Sequence, residues 1–189
     1  YRNADSDPSD RSGHGTHVAG TIAAVAGNGR GIAGVAWKAR LMPLRVGFTI
    51  RTEAGEVGLL EIDDIAAALV YAADHGAGVV NMSFGARGEV PQLLRLALKY
   101  AHDRGVVLVA SAGNDESDAG ESFPASDPRV ICVGAAVSSG RRVVFSNWGG
   151  RIDLAAPGSE IVSLRGTGTT LTGLGSVAGA DRLYNRASG

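Results

Sequence analysis

The sequence is short of cysteine, of net charge and of long apolar runs, and each shortage excludes something. Its one cysteine, Cys132, lies in the apolar run Val130-Ile131-Cys132-Val133 and reads as a buried core residue, so no intrachain disulfide can form. The formal net charge is −1, and bulk electrostatics therefore favours neither nucleic acid nor an anionic membrane as a partner. No run of about 18 apolar residues occurs, which argues against a helical bilayer span. No G-x-G-x-x-G lies between an early strand and a helix, which disfavours a nucleotide- or small-molecule-binding α/β domain. The chain opens at Tyr1 without an initiator methionine, no signal-peptide pattern precedes the first motif, and both ends read as cut.

What is present fits one globular domain. A chain of 189 residues with 44% hydrophobic content can bury a real core. Glycine is in excess, 28 residues against a usual share of about 7%, which implies many tight turns and close backbone approaches.

The run His14-Gly15-Thr16-His17-Val18-Ala19-Gly20-Thr21-Ile22-Ala23-Ala24 organises the rest. Ser12 and Gly13 can cap a helix whose small and apolar residues, from Val18 to Ala26, suit tight packing. His14 would then occupy the first turn. There the helix's partial positive charge disfavours imidazolium and keeps the ring in the neutral form that a general base needs. Two plainer readings compete. His14 and His17, three apart on one face, could be metal ligands, although the helix has no Glu and no third ligand is near; or both could be structural.

This run resembles the histidine block of the subtilisin-like serine proteases, the subtilases. The resemblance implies that His14 is the catalytic base and His17 structural. In that family the triad aspartate ends a buried strand and is followed by Thr-Gly or Ser-Gly. The opening segment instead holds Asp5, Asp7 and Asp10 without any apolar run, and all three read as solvated loop residues. Asp10 resembles the acidic residue that precedes the family's histidine block. The triad aspartate is therefore expected to be missing from this chain.

Next, Ala26-Gly27-Asn28-Gly29-Arg30-Gly31 reads as a turn. The matching loop of many subtilases wraps a calcium ion, so the resemblance allows a structural calcium here, with Asn28 the one side-chain oxygen on offer. No other cofactor is implied, and no residue is assigned as a metal ligand. Ala39 to Val46 reads as a strand, with Pro43 easiest to place near an edge. Thr49 to Gly58 reads as a polar surface loop.

The middle of the chain repeats itself. Glu61 to His75 has apolar residues at helical spacing (Ile62, Ile65, Leu69, Ala72 or Ala73) and closes on Gly76. Pro91 to Arg104 does the same with Leu94, Ala97, Leu98 and Ala101, and closes on Gly105. Each helix runs into an apolar strand, Val79-Val80-Asn81-Met82 or Val106-Val107-Leu108-Val109. Continuous apolar strands alternating with helices indicate a parallel sheet covered on both faces. His75 and His102, in last turns, read as surface residues that complement the helix dipole.

Parallel strands deliver their C-terminal ends to one sheet edge, where such folds bind ligands. Ser83-Phe84-Gly85 and Ser111-Ala112-Gly113-Asn114 leave the sheet there, and His14 is expected to face them. By resemblance these two segments bind the substrate backbone as added β-strands, and Asn114 donates a side-chain N–H to the oxyanion. Ser83 reads as a turn serine rather than a nucleophile. Ser122 and Phe123 fall in the family's pocket-wall loop; no charge stands at a pocket base, so substrate preference leans broad or apolar. Asp153 reads as structural, Ala155-Ala156-Pro157-Gly158 as a turn before a short strand around Ile161 and Val162, and Gly166 to Gly175 as a low-complexity loop.

The resemblance thus implies a three-layer α/β/α fold with a mostly parallel sheet, incomplete in this chain, and a secreted, monomeric endopeptidase acting on polypeptide substrates. The chain closes on Tyr184-Asn185-Arg186-Ala187-Ser188-Gly189. Ser188-Gly189 matches the first two letters of the family's Ser-Gly-Thr-Ser-Met-Ala, so the nucleophile is expected two residues past Gly189, and residues 1–189 alone are expected to be inactive. The alternative of a different class is a non-catalytic peptide-binding relative that keeps the strand exits and lacks a nucleophile.

Overall fold

Apolar residues three and four apart, followed by glycine, build two helix-to-strand units that set the architecture. The computed structural model describes residues 7–52, 55–167, 169 and 183–189. In chain order these form α1 (His14–Ala23), β1 (Gly47–Thr52), β2 (Gly55–Leu60), α2 (Ile62–Asp74), β3 (Val79–Met82), β4 (Ala86–Arg87), α3 (Gln92–Asp103), β5 (Val107–Ser111), β6 (Ser122–Phe123), β7 (Val130–Ala136), β8 (Leu154–Pro157), β9 (Ile161–Leu164) and β10 (Tyr184–Ala187). The chain divides into two units, one running to Leu60 and resuming from Glu160 to Ser188, the other comprising Glu61–Ser159 with Gly189.

In the second unit, β3, β5, β7 and β8 form a parallel sheet in that order, with Met82 opposite Ala110, Ser111 opposite Val133 and Ala136 opposite Pro157. α2 packs on α3 and α3 on β5. The helices bury the stripes their spacing predicts: Ile65, Ala66, Ala68, Leu69 and Ala72 in α2, and Leu94, Ala97, Leu98 and Ala101 in α3. Leu94 and Leu98 are fully buried, each contributing about 1.5–3 kcal/mol relative to an exposed side chain. Gly76 and Gly105, at φ 77° and 80°, follow the helix ends in the left-handed conformation that releases the chain into β3 and β5. Cys132 is buried and free, and burial raises its thiol pKa. The segment expected as a turn at Ala155-Ala156-Pro157-Gly158 is instead mostly strand, because Leu154–Pro157 pairs with β7 at the end of the sheet, where a residue lacking N–H is tolerated. Asp153 accepts the backbone N–H of Cys132 at 2.8 Å, a structural role as read.

In the first unit, α1 packs on β9, which pairs antiparallel with β10. The contact is close: a Cβ at Gly20 would lie 2.5 Å from Ser163 Oγ. The strand at β10 carried no recognisable signal in its sequence. Two expectations fail here. Residues 39–46 form no strand; Leu41 and Met42 are exposed at 47% and 40%, and Pro43 has no N–H to give a ladder. Within Thr49 to Gly58, residues 49–52 and 55–58 are not loop but belong to the antiparallel pair β1–β2, with Thr49 opposite Gly58 and Thr52 opposite Gly55, and residues 53 and 54 lie outside the described residues. The β-branched residues of the pair outweigh its polarity. Within the low-complexity segment, residues 168 and 170–175 lie outside the described residues.

Candidate active site

His14 is the first residue of α1, directly after Gly13. Of the expected caps, Ser12 and Gly13, it is Gly13 that stands at the N-cap, at φ 90° and without a side-chain bond. Asp10 supplies it instead. One carboxylate oxygen accepts the backbone N–H groups of Ser12 at 3.0 Å and Gly13 at 2.8 Å, and the other accepts Thr16 N–H and Thr16 Oγ1, both at 2.8 Å. Asp10 is therefore a half-buried organiser of the first turn and not a solvated loop residue, because unpaired N–H groups at a helix start attract a carboxylate. Burial alone would raise its pKa; the hydrogen bonds from Thr16, Gly13 and Ser12 outweigh that and hold it below the ordinary aspartate value. Asp7, by contrast, is exposed.

His14 is exposed, yet enough protein lies around it to desolvate the ring in part, and its pKa is lowered. Desolvation is the main cause and the neighbouring His17 adds to it, whereas the negative charge of Asp10 opposes it. The neutral form expected from the helix dipole is thus favoured chiefly by burial. His17 is 7% exposed, and its Nε2 donates to the carbonyl of Ile161 at 3.1 Å, which fixes the tautomer. Ser163 Oγ donates to the His17 carbonyl at 2.7 Å. The second histidine is structural.

In the other unit the parallel sheet brings the two strand exits side by side, since Met82 stands opposite Ala110. Ser83 Oγ accepts from Asn81 Nδ2 at 2.9 Å, as a turn serine does. Gly85 passes so close to β6 that a Cβ would lie 2.8 Å from the Phe123 carbonyl oxygen. Beyond Ser111, Ala112 is buried and its N–H donates to Val133 at 2.9 Å, while Asn114 is exposed. A Cβ placed on Gly189 would lie 3.3 Å from Asn114 Nδ2, and Gly189 N–H donates to the Gly158 carbonyl at 2.9 Å. The end of β8, Gly189 and Asn114 therefore share one edge of the sheet. His14 belongs to the first unit.

One residue of this second unit differs from its sequence reading, and a second has a role that the sequence does not assign. Ser122 is only 4% exposed, and its hydroxyl accepts from Asn147 Nδ2 at 3.0 Å, so it holds an internal contact instead of lining a pocket wall. Asn147, which falls in the family-like run Phe145-Ser146-Asn147-Trp148-Gly149 and to which the sequence assigns no role, is 1% exposed and bonds to the loop that carries Asn114. Its partners lie some thirty residues away in sequence, and no local pattern announces its role. In the first unit, Asn28 Oδ1 accepts from Arg30 N–H at 2.9 Å, and among the described residues no three His, Cys, Asp or Glu side chains gather as metal ligands.

The subtilase family model matches residues 1–188. An extracellular protease of Xanthomonas campestris pv. campestris is 41% identical over 177 residues, covering 88% of this chain and 29% of that protein. A thermophilic serine proteinase of a Bacillus species is 44% identical over 160 residues, covering 84% of this chain and 37% of that protein. The chain thus spans well under half the length of these relatives. Among solved structures, a cold adapted subtilisin-like serine proteinase superposes with a TM-score of 0.77 at 34% identity, covering 100% of this chain and 59% of that one.

Proposed function

Because this chain belongs to the subtilase family and carries part of the subtilisin-like fold, we propose that its parent is a serine endopeptidase that cleaves peptide bonds through an acyl-enzyme. In this reading a serine attacks the scissile carbonyl, His14 takes its proton and returns it to the leaving amine, an aspartate orients His14, and Asn114 donates a hydrogen bond to the oxyanion. The lowered pKa of His14 supports the first role, since a general base must be unprotonated at working pH. The carrying observation is the exposed side-chain amide of Asn114, its nitrogen 3.3 Å from a Cβ position on Gly189, beside the Ser-Gly that introduces the family's serine block. Ser83, Phe84, Gly85, Ser111, Ala112 and Gly113 present the strand exits to an extended peptide.

The aspartate and the serine are expected on flanking sequence, so a polypeptide of these 189 residues alone should give no covalent adduct with a fluorophosphonate. The parent is proposed to be secreted, in keeping with relatives named extracellular proteases. In the parent, Asn114→Leu should lower kcat by about 10²–10³ with little change in KM, a figure taken from the loss of one side-chain oxyanion donor in a subtilisin. His14→Ala should cost more, about 10⁴-fold or beyond. Undiminished turnover in the Asn114 variant removes the oxyanion assignment. A parent with no serine block after Gly189 would be the non-catalytic peptide-binding relative.

A further inference from the structure

We propose that Asn147 is a positioning residue for the oxyanion donor, fixing the direction of Asn114 without touching the substrate; this rests on the reading of Asn114 above. Asn114 is exposed, and among the described residues its side chain makes no hydrogen bond, so only the backbone on either side of it, by fixing where its Cα–Cβ bond points, aims the amide. That backbone is tied to one side chain. Asn147 Oδ1 accepts the N–H groups of Asp115 at 2.9 Å and Ser117 at 3.0 Å, with Ser117 Oγ at 3.3 Å. Asn147 Nδ2 donates to the Ala112 carbonyl at 2.9 Å and to Ser122 Oγ at 3.0 Å. Its backbone N–H donates to the Gly113 carbonyl at 3.0 Å.

Both donors and both acceptor directions of the amide are therefore in use, and its orientation is fixed chemically. Turned over, the amide would point N–H groups at two backbone N–H groups. No other uncharged side chain of this size offers two donors and two acceptors at these angles. Gly113 completes the fit: at φ 105°, a Cβ there would fall 2.4 Å from Asn147 Nδ2. The loop and the amide thus fit only as a pair.

The test is a double-mutant cycle in the intact parent enzyme with a peptide substrate. Asn147→Ala should lower kcat by about 10–100-fold, the loss typical of a catalytic group displaced by about 1 Å, with KM nearly constant. In an Asn114→Leu background the same substitution should change kcat less than about threefold, because its effect travels through Asn114. An equal loss in both backgrounds makes Asn147 a general scaffold and overturns the proposal, as does an undiminished kcat in the single variant. If Asn114→Leu itself leaves kcat unchanged, the oxyanion assignment falls and this proposal with it, so the two failures are told apart. Should Asn147→Ala not fold, Asn147→Asp carries the test. Its buried carboxyl, when protonated, keeps the acceptor for Asp115 and Ser117 and one O–H donor for the Ala112 carbonyl, and on ionising it sets a second acceptor against that carbonyl. Its kcat should then fall with rising pH where the native enzyme's does not, and this fall should be absent in the Asn114→Leu background. A native profile for Asn147→Asp overturns the proposal.

Discussion

The first turn that carries His14 and the loop that carries Asn114 are each gathered onto one side chain, but the two gathering groups differ in charge. Asp10 meets only donors: three backbone N–H groups and a hydroxyl at a helix start. A carboxylate, all acceptor and negative, is the group such a cluster selects. Asn147 faces donors and acceptors together, Asp115 and Ser117 N–H on one side and the Ala112 carbonyl on the other. An amide fits that mixture at no cost in buried charge, which matters for a side chain 1% exposed. The consequence is unequal sensitivity to pH. The histidine block hangs on a group that titrates, and the asparagine loop on one that does not.

The sharpest way to break this comparison is steric. Gly113→Ala must place a Cβ 2.4 Å from Asn147 Nδ2 in a left-handed backbone, whereas Gly105, equally left-handed at φ 80°, has nothing within 4 Å of its Cβ position. Chemical denaturation of the parent should show a loss on the order of 3 kcal/mol for Gly113→Ala, against about 1 kcal/mol for Gly105→Ala. Equal losses would mean that Asn147 yields readily, and that the loop does not depend on it.

The contrast between Asp10 and Asn147 also marks where sequence reading stops. Helices α2 and α3 were legible because their signals are local and repeated: a 3.6-residue stripe, then a glycine, then an apolar strand. The Leu94, Ala97, Leu98 and Ala101 stripe is buried residue for residue as the spacing predicts. His14 and Asn114 are singled out by resemblance to family motifs alone. Asp10 is legible in principle, since an acid two to six residues before its donors is an ordinary capping signal, but its polar neighbours make the segment look like solvated loop. The role of Asn147 is not, because its bonds reach back 25 to 35 residues. The β1–β2 pair was missed for the opposite reason: its alternation is local but sits in a polar stretch. Ala39 to Val46 looked like a strand by composition, yet a strand requires a partner for its N–H and C=O groups, and composition carries no information about partners.

A smaller effect separates the two anchors by charge. Asp10→Ala should cost about 1–2 kcal/mol near neutral pH, the usual value of a helix-capping side chain. The sign of its pH dependence follows from the lowered pKa in the folded state. The stabilisation is fully present above the unfolded pKa of an aspartate, about 3.9, and is lost as pH falls through the lower, folded pKa. Native and variant stabilities, measured by denaturant titration at successive pH values, should therefore converge in acid. The deficit of Asn147→Ala has no such dependence, because an amide carries no proton to gain. A deficit for Asp10→Ala that persists unchanged in acid would show that the carboxylate's charge is irrelevant to the first turn.

The smallest effect runs from Asp10 to His14. Burial and the neighbouring His17 lower the pKa of His14, and the Asp10 carboxylate partly restores it. Asp10→Asn removes that charge, although it also turns an NH2 towards one of the donor sets that the carboxylate accepts, so the His14 imidazole should titrate lower still. Following the His14 ring proton by NMR through an acid titration checks this without relying on activity. The native ring should titrate below the ordinary histidine value of about 6.5, the Asp10→Asn ring lower again, and the Asn147→Asp ring should follow the native one at pH values where the introduced carboxyl stays protonated. The sign also bears on stability. A histidine whose folded pKa is depressed is charged more readily when unfolded, so its neutral form stabilises the fold above the unfolded pKa, and that contribution is lost as pH falls through the folded one. Asp10→Asn should widen this window on its acid side. An upward move of the His14 titration in Asp10→Asn would mean that Asp10 acts on the ring through the hydrogen bonds that shape the turn, and not through its charge.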